Sequence, residues 1–262
     1  VFAIRDIHGI PEYARRKPQA IKNGVFPVKP ISGGNNFLRR RYWLRRYKIG
    51  SRRPRYEFLK HVLDLTLAVF IGAMALALLP LIAPAIFIST PKDVLRYRER
   101  RARPGDGIIF FRQKRVGKNG QEFAFVKFRS QILGAEHFGH EKEIGPDPRA
   151  YPVGTLLRKT YLDELPQLWN VIKGEMSFVG PRPERPEFVA ELEREIPFYR
   201  MRELVLPGIT GWAQINMQND ASVSDAPEKM QYDLYYIKNR SLALDLSILL
   251  KTVLKLLQRS GR

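Results

Sequence analysis

The residues with the most chemistry to offer are a carboxylate pair. Asp163 and Glu164 stand in the run Thr160-Tyr161-Leu162-Asp163-Glu164-Leu165-Pro166-Gln167-Leu168-Trp169-Asn170-Val171-Ile172. Leu165, Leu168, Trp169 and Ile172 recur at helical spacing and Pro166 is tolerated only in a first turn, so the run predicts a helix starting near Leu162 or Asp163. Both acids then occupy the positive end of the helix dipole and are expected to be ionised at neutral pH. Acids in a first turn usually do no more than complement that dipole. The surrounding cations change the reading. Arg158 comes five residues before Asp163, and Arg182 nineteen after it in Gly180-Pro181-Arg182-Pro183, where two prolines restrict the backbone around the Arg. Lys127 and Arg129 share one strand face, which alone would read as a solvated edge, and Arg149 follows Pro148. Two carboxylates among several preset cations suit a phosphorylated substrate, with Mg²⁺ offsetting the repulsion between anions.

Other phosphate-handling and nucleophilic schemes fail on spacing. Neither a P-loop nor a dinucleotide-binding glycine pattern is present, and Gly117-Lys118-Asn119-Gly120 reads as a turn. No kinase or serine-hydrolase signature appears. The absence of Cys removes disulfides, thiolate metal sites and a cysteine nucleophile. Of the four His (His8, His61, His137, His140), only His137 and His140 are close in sequence, and without a third ligand they read as loop residues.

The elements that must position the pair are legible in outline. GIIFFRQKRVG and QEFAFVKFRS alternate as strands, and Asn119-Gly120 between them signals an antiparallel hairpin. Residues 131–150, with three Gly and two Pro, read as a loop. From Leu65 to Ile88 run 24 residues without a charge, longer than the ~20 a helix needs to cross a bilayer core. Arg52, Arg53, Arg55 and Lys60 precede this stretch, and Lys92, Arg96, Arg98, Arg100, Arg101 and Arg103 follow it. Both ends therefore favour the cytoplasmic side, and Pro80 and Pro84 should break the helix near its middle. A re-entrant helix-break-helix is preferred to a simple span. In SLALDLSILLKTVLKLLQR, Lys251, Lys255 and Arg259 repeat every four residues among Leu and Ile, the pattern of an interfacial helix or of a core-packed one. The formal charge of +19 is concentrated at the start: residues 1–56 hold fifteen Lys and Arg against Asp6 and Glu12. Charge alone would suit nucleic acid or an anionic membrane, and the apolar stretch favours the membrane.

These blocks together resemble the bacterial sugar transferases, the monotopic phosphoglycosyl transferases that load a sugar phosphate onto a polyprenyl-phosphate carrier. The matching blocks are Gln113-Lys114-Arg115-Val116-Gly117, VKFRS (126–130), Asp147-Pro148-Arg149, LRKTYLDELPQLWNVIKGEMSFVGPRP (157–183), LPGITGWAQIN (206–216) and YDLYYIKNRSLALDLSILLKT (232–252). RPERPEF and ASVSDAPEKMQYDLYYIKNRS look most like the branch acting in exopolysaccharide assembly. The resemblance covers about residues 57–259. It implies a small α/β monotopic membrane module: a re-entrant N-terminal helix (57–90) hinged at Pro80 or Pro84, then a cytosolic catalytic part (105–262) with a short antiparallel β-hairpin and amphipathic interfacial helices. Residues 1–56 form a basic extension, read as the end of a longer N-terminal region.

The same resemblance implies residue roles. Asp163 is the covalent nucleophile, Glu164 its partner in Mg²⁺ binding or activation, and Lys127, Arg158 and Arg182 bind phosphate, with Arg129 and Arg149 as further cations for a UDP-sugar. The implied partners are a UDP-sugar, polyprenyl (undecaprenyl) phosphate, lipid of the bacterial inner membrane at its cytoplasmic face, and downstream glycosyltransferases, with no nucleic acid. This chain departs from the pattern in having Gln218 where relatives often carry Arg, and Gln131 where Met is usual. The alternatives are a non-catalytic basic membrane scaffold holding partners or anionic polymer, and a membrane-tethered nucleic-acid binder supported only by Arg and aromatic interleaving.

Overall fold

The computed structural model describes residues 53–90, 107–132, 135, 147, 149–196, 198–217 and 225–260. The expectations for residues 1–52, the cluster from Lys92 to Arg103, His137, His140 and Gln218 lie outside the described residues.

Helix α1 (Pro54–Ser89) opens on a proline in its first turn, where a missing N–H costs nothing, and runs for 36 residues through both Pro80 and Pro84. The break expected near its middle is therefore absent as an interruption of the helix. An interior proline forfeits one backbone donor and crowds the preceding turn, which can bend a helix without ending it. Packing on both sides of the first proline also holds the helix together: Ala68 is buried before it, Ile82 and Ile86 after it. The opposite face, including Val69, Phe70, Met74, Leu76, Leu81 and Ile88, is exposed.

Strands β1 (Phe110–Val116) and β2 (Glu122–Phe128) pair antiparallel, Phe111 opposite Lys127 and Gln113 opposite Phe125. Asn119 (φ 58°) and Gly120 (φ 79°) supply the left-handed turn between them, as the Asn-Gly signal requires. Helix α2 (Pro152–Lys159) crosses the exit of β2 so closely that a Cβ on Gly154 would collide with the Ser130 carbonyl. That approach sets where Arg158, near the helix end, stands.

Tyr161 (φ 57°) then turns the chain into a single 3₁₀ turn (Leu162–Glu164), and helix α3 is only Gln167–Ile172. The helix thus begins later than the expected start near Leu162 or Asp163. Leu165 N–H bonds to Leu162 O, Leu168 N–H to Leu165 O and Trp169 N–H to Pro166 O, a series of tight i to i−3 bonds. Pro166, having no N–H, cannot carry an α-helical ladder back to Asp163. The expected single apolar face also divides: Leu168 is buried, whereas Trp169 is 59% exposed and Ile172 is exposed beside it.

Beyond α3, strand β3 (Ser177–Val179) pairs in parallel with β4 (Gly208–Thr210), a second two-stranded sheet too short to show a periodicity in sequence. Between them come α4 (Pro186–Glu195) and a 3₁₀ segment (Tyr199–Leu204); after them α5 (Trp212–Asn216), α6 (Ala226–Asn239) and α7 (Leu242–Ser260). The main core joins Phe123 and Phe125 of β2, Leu168 and Val171 of α3, Phe178 of β3, Tyr236 of α6, Ile248 of α7 and Ala68 of α1. The expected mixed α/β module with one long apolar helix, an antiparallel hairpin and several helices is what forms.

Helix α7 has the reverse polarity of an ordinary surface helix. Its outward face carries Leu246, Leu250, Val253, Leu254 and Leu257. Lys255 turns inward to donate to the Gln214 and Met217 carbonyls (2.9 and 3.2 Å), and Lys251 lies over the Trp212 ring. Its first turn buries Asp245, which accepts from Tyr56 (2.8 Å) and Lys60 (3.1 Å) of α1 and from Tyr236 (2.8 Å) of α6. One carboxylate therefore ties the base of the apolar helix to the catalytic part.

Candidate active site

The 3₁₀ turn carrying Asp163 and Glu164 is wedged between α2 and the end of β2. Lys127 Nζ, from β2, lies 2.6 Å from Glu164 Oε1 and 3.8 Å from Asp163 Oδ2. Arg182 Nη2 reaches the same Glu164 oxygen at 3.1 Å. Its loop is fixed from both sides: Arg115 donates to the Pro183 carbonyl (3.0 Å) and Arg202 to the Arg182 carbonyl (2.8 Å).

The two acids are driven apart. Burial would raise Glu164, but Lys127 and Arg182 outweigh it and hold its carboxyl at about 2. Asp163, 6% exposed, is pushed up by burial; Lys127, Arg158 and Arg182 oppose this, and the charge on Glu164 reinforces it. The helix dipole expected to govern both acids is thus corrected as the cause. A one-turn 3₁₀ element offers little dipole, so desolvation and neighbouring charges decide. The outcome is one permanently charged carboxylate locked to cations and one more basic carboxylate beside it.

Arg158 and Arg149 are organised by a residue that the charge pattern did not single out. Asp147 accepts from Arg149 Nε (2.8 Å) and Nη2 (3.1 Å), from the Arg149 backbone N–H (3.0 Å), from Gln131 Nε2 (2.7 Å) and from Arg158 Nη1. These donors hold its carboxyl far below the ordinary range, although partial burial works the other way. Arg129 is placed differently from the expectation. It lies just past the end of β2, almost fully buried, and donates to the Gly107 carbonyl (2.7 Å) while its own carbonyl accepts from Tyr151. Alternation carries Lys127 to the acids, but the strand stops at Phe128 before Arg129 can follow it.

Sequence reasoning also passed over a buried cluster behind the Arg182 loop. Arg202 bonds to Asp233 (2.9 Å) and Tyr199 (2.7 Å), and Glu184 bonds to Lys229 (2.9 Å) with Arg202 and Arg115 close by. Glu184 is held at about 2 because Lys229 and Arg202 outweigh its burial. The only signal in the sequence is the acid of Arg182-Pro183-Glu184, which gives no hint of its distant partners.

Among the described residues, no group of three or more His, Cys, Asp or Glu could cage a metal. Asp163 and Glu164 are adjacent carboxylates, with Glu164 Oε1 taken by Lys127 and Arg182; Mg²⁺ commonly needs only one or two carboxylates, with substrate phosphates and water completing its shell.

The site sets a buried carboxylate beside fixed cations, in a chain with one helix long and apolar enough to cross a membrane. Comparison with known proteins gives the family. Residues 102–259 match the family model described as bacterial sugar transferase, and the chain belongs to that family. It is 39% identical over 208 residues to the UDP-N-acetylgalactosamine-undecaprenyl-phosphate N-acetylgalactosaminephosphotransferase of Aeromonas hydrophila, covering 79% of this chain and 46% of that protein. Similarity to the UDP-glucose:undecaprenyl-phosphate glucose-1-phosphate transferase of Escherichia coli K12 is 37% over 201 residues (76% and 40%). With exopolysaccharide production protein ExoY of Sinorhizobium fredii it is 37% over 162 residues (56% and 69%). The chain spans less than half the length of the first two of these relatives.

Proposed function

We propose that this chain transfers a sugar 1-phosphate from a UDP-sugar to polyprenyl phosphate, releasing UMP, and so starts exopolysaccharide or glycoconjugate assembly. The observation that carries the reading is Asp163: buried, raised in basicity, and faced by Lys127, Arg158 and Arg182. A desolvated carboxylate is a stronger nucleophile, and cations already in place lower the cost of bringing it to a diphosphate. An Asp163 oxygen attacks the sugar-bearing phosphorus. The bond from that phosphorus to the bridging oxygen breaks, and UMP leaves with the bond's electron pair. A phosphate oxygen of the polyprenyl carrier then attacks the same phosphorus, giving polyprenyl-diphosphate-sugar and returning Asp163. Lys127 and Arg182, held by Glu164, and Arg158 and Arg149, held by Asp147, bind the donor phosphates and the departing UMP. Asp163 and Glu164 would hold Mg²⁺, which when bound neutralises phosphate charge.

The reading places α1 in one leaflet, with the catalytic part on the cytoplasmic face of the inner membrane and Pro80 and Pro84 as points of bending. What supports it is the contact of α1 with the catalytic part at Asp64 and Ala68 and again at Ile82 and Ile86. A straight span of its uncharged stretch, ~36 Å at 1.5 Å per residue, would carry one end away from a body standing on one side. The outward leucines of α7 then meet the same interface.

Intact-mass measurement after incubation with a panel of UDP-sugars tests the chemistry. A phosphosugar adduct on the wild type and none on Asp163→Asn is expected; an adduct on the variant overturns the scheme. Because the chain has no Cys, Glu57→Cys and Asp93→Cys report topology directly, and labelling of both from the same side of sealed vesicles is expected.

A further inference from the structure

Gln167 is fully buried, and neither Nε2 nor Oε1 of its carboxamide has a hydrogen-bond partner among the described residues. A buried amide left unpaired forfeits its bonds to water with nothing in return, so a folded protein that keeps one calls for a reason. Its surroundings suggest the reason. Gln167 follows Asp163 by four residues, and the 3₁₀ turn and α3 wind in the same right-handed sense with Asp163, Gln167 and Asn170 all buried. The flanking two are both seated on β2. Asp163 faces Lys127 at 3.8 Å, and Asn170 donates to the Ala124 carbonyl (2.8 Å) and accepts from the Val126 N–H (3.3 Å). Gln167 thus opens α3, four residues after Asp163 and three before Asn170, on the segment whose other two buried polar residues meet β2.

Resting on the transferase reading, we infer that Gln167 is a hydrogen-bonding residue for the covalent intermediate, its amide donating to the carboxyl oxygen of Asp163 that does not carry phosphorus. In the free protein both Asp163 oxygens share the charge that faces Lys127. Once one oxygen is bonded to phosphorus, the other becomes a neutral carbonyl: it accepts less strongly than the carboxylate did, but it is no longer drawn to Lys127 and can turn toward an uncharged N–H. The amide that lacks a partner before the reaction gains one during it. This places the polar cost on the free protein and its relief on the intermediate, which is the direction that favours adduct formation.

Gln167→Met keeps the side-chain length and removes both polar atoms. Its thermal midpoint should equal or exceed that of the wild type, because an unpaired amide is removed, while the fraction carrying phosphosugar at a fixed UDP-sugar to UMP ratio falls about tenfold. Gln167→Asn keeps an amide but withdraws it by one methylene, and the same loss of adduct is expected with the fold retained. A lower midpoint for Gln167→Met together with a normal adduct fraction per folded molecule would mean the amide is held by a buried water for structure alone, and overturns the inference. So does a normal adduct fraction with a raised midpoint. Absence of any adduct on the wild type with the whole donor panel would instead remove the transferase reading, and this inference with it.

Discussion

Two charged clusters lie side by side on the Arg182 loop, and they are built to opposite ends. In the cluster of Arg202, Asp233, Glu184, Lys229 and Tyr199, the acids meet their cations at close range, and Arg202 itself is only 6% exposed. In the cluster of Lys127, Asp163, Glu164 and Arg182, Glu164 takes the close contacts, and Asp163 is left at 3.8 Å from Lys127. The first arrangement surrounds its acids with short charge-assisted bonds, which outweigh burial at Glu184, while burial still holds the Asp233 carboxyl above its ordinary value. The second leaves one carboxylate incompletely compensated, a cost in stability of the kind that functional sites carry. The contact from Arg202 to the Arg182 carbonyl couples them, so the saturated cluster is the mount for the one that holds Asp163.

The sharpest way to break this comparison is to treat the two acids alike. Under the proposed scheme, in which Asp163 is the nucleophile, Asp163→Asn should reduce UMP release by ~10³-fold or more. It should also raise stability near neutral pH. The folded Asp163 carboxyl lies above its ordinary value, so its favourable contribution is present at low pH and is lost as pH rises through the folded value. The gain from Asn should therefore shrink as pH falls toward 4, and a thermal midpoint that drops at pH 7 would place Asp163 with the saturated cluster. Arg202→Met should do the reverse, costing about 3–5 kcal/mol in denaturant unfolding because Asp233 and Glu184 would remain buried without their cation. A loss below ~1 kcal/mol would show that the cluster is not a mount.

Smaller effects refine the picture. Asp147→Asn should slow single-turnover UMP release about tenfold by loosening Arg158 and Arg149. In an Arg158→Ala background the further loss should be less than about threefold, whereas a fully additive loss would mean that Asp147 does not act through Arg158. Acid titration reports on Glu164 and Glu184, both held at about 2 against an ordinary 4.5. Their contribution is full above 4.5 and lost between there and about 2, so unfolding midpoints should fall in that window and less so in Glu184→Gln. Least of all, Gln131→Met removes one of several donors to Asp147 and should cost no more than ~1 kcal/mol.

Much of the site is legible in the residue order alone, and the parts that are not share a cause. Asp163, Glu164, Lys127, Arg158 and Arg182 can be read because residue type and local geometry, the prolines around Arg182 and the alternation along β2, already aim them. Arg129 is misplaced by the pattern because alternation holds only while a strand continues, and β2 ends one residue earlier. The start of α3 is misplaced because spacing cannot tell a 3₁₀ turn from the first turn of a helix. The role of Asp147 escapes notice because a lone acid in a loop gives no sign of how many donors converge on it, and that of Arg202 because Asp233 and Glu184 come from other segments.

The elements and the chemistry within their reach are written in residue order: a long uncharged helix, an Asn-Gly hairpin, an acidic pair and the cations near it. These follow from side-chain volume, backbone preference and spacing, all local quantities. Folding is what pushes one acid up and holds the other down, and what turns the leucines of α7 outward and Lys255 inward. Desolvation and Coulomb energy depend on what else fills the surrounding few ångströms, and that is fixed only when remote parts of the chain meet.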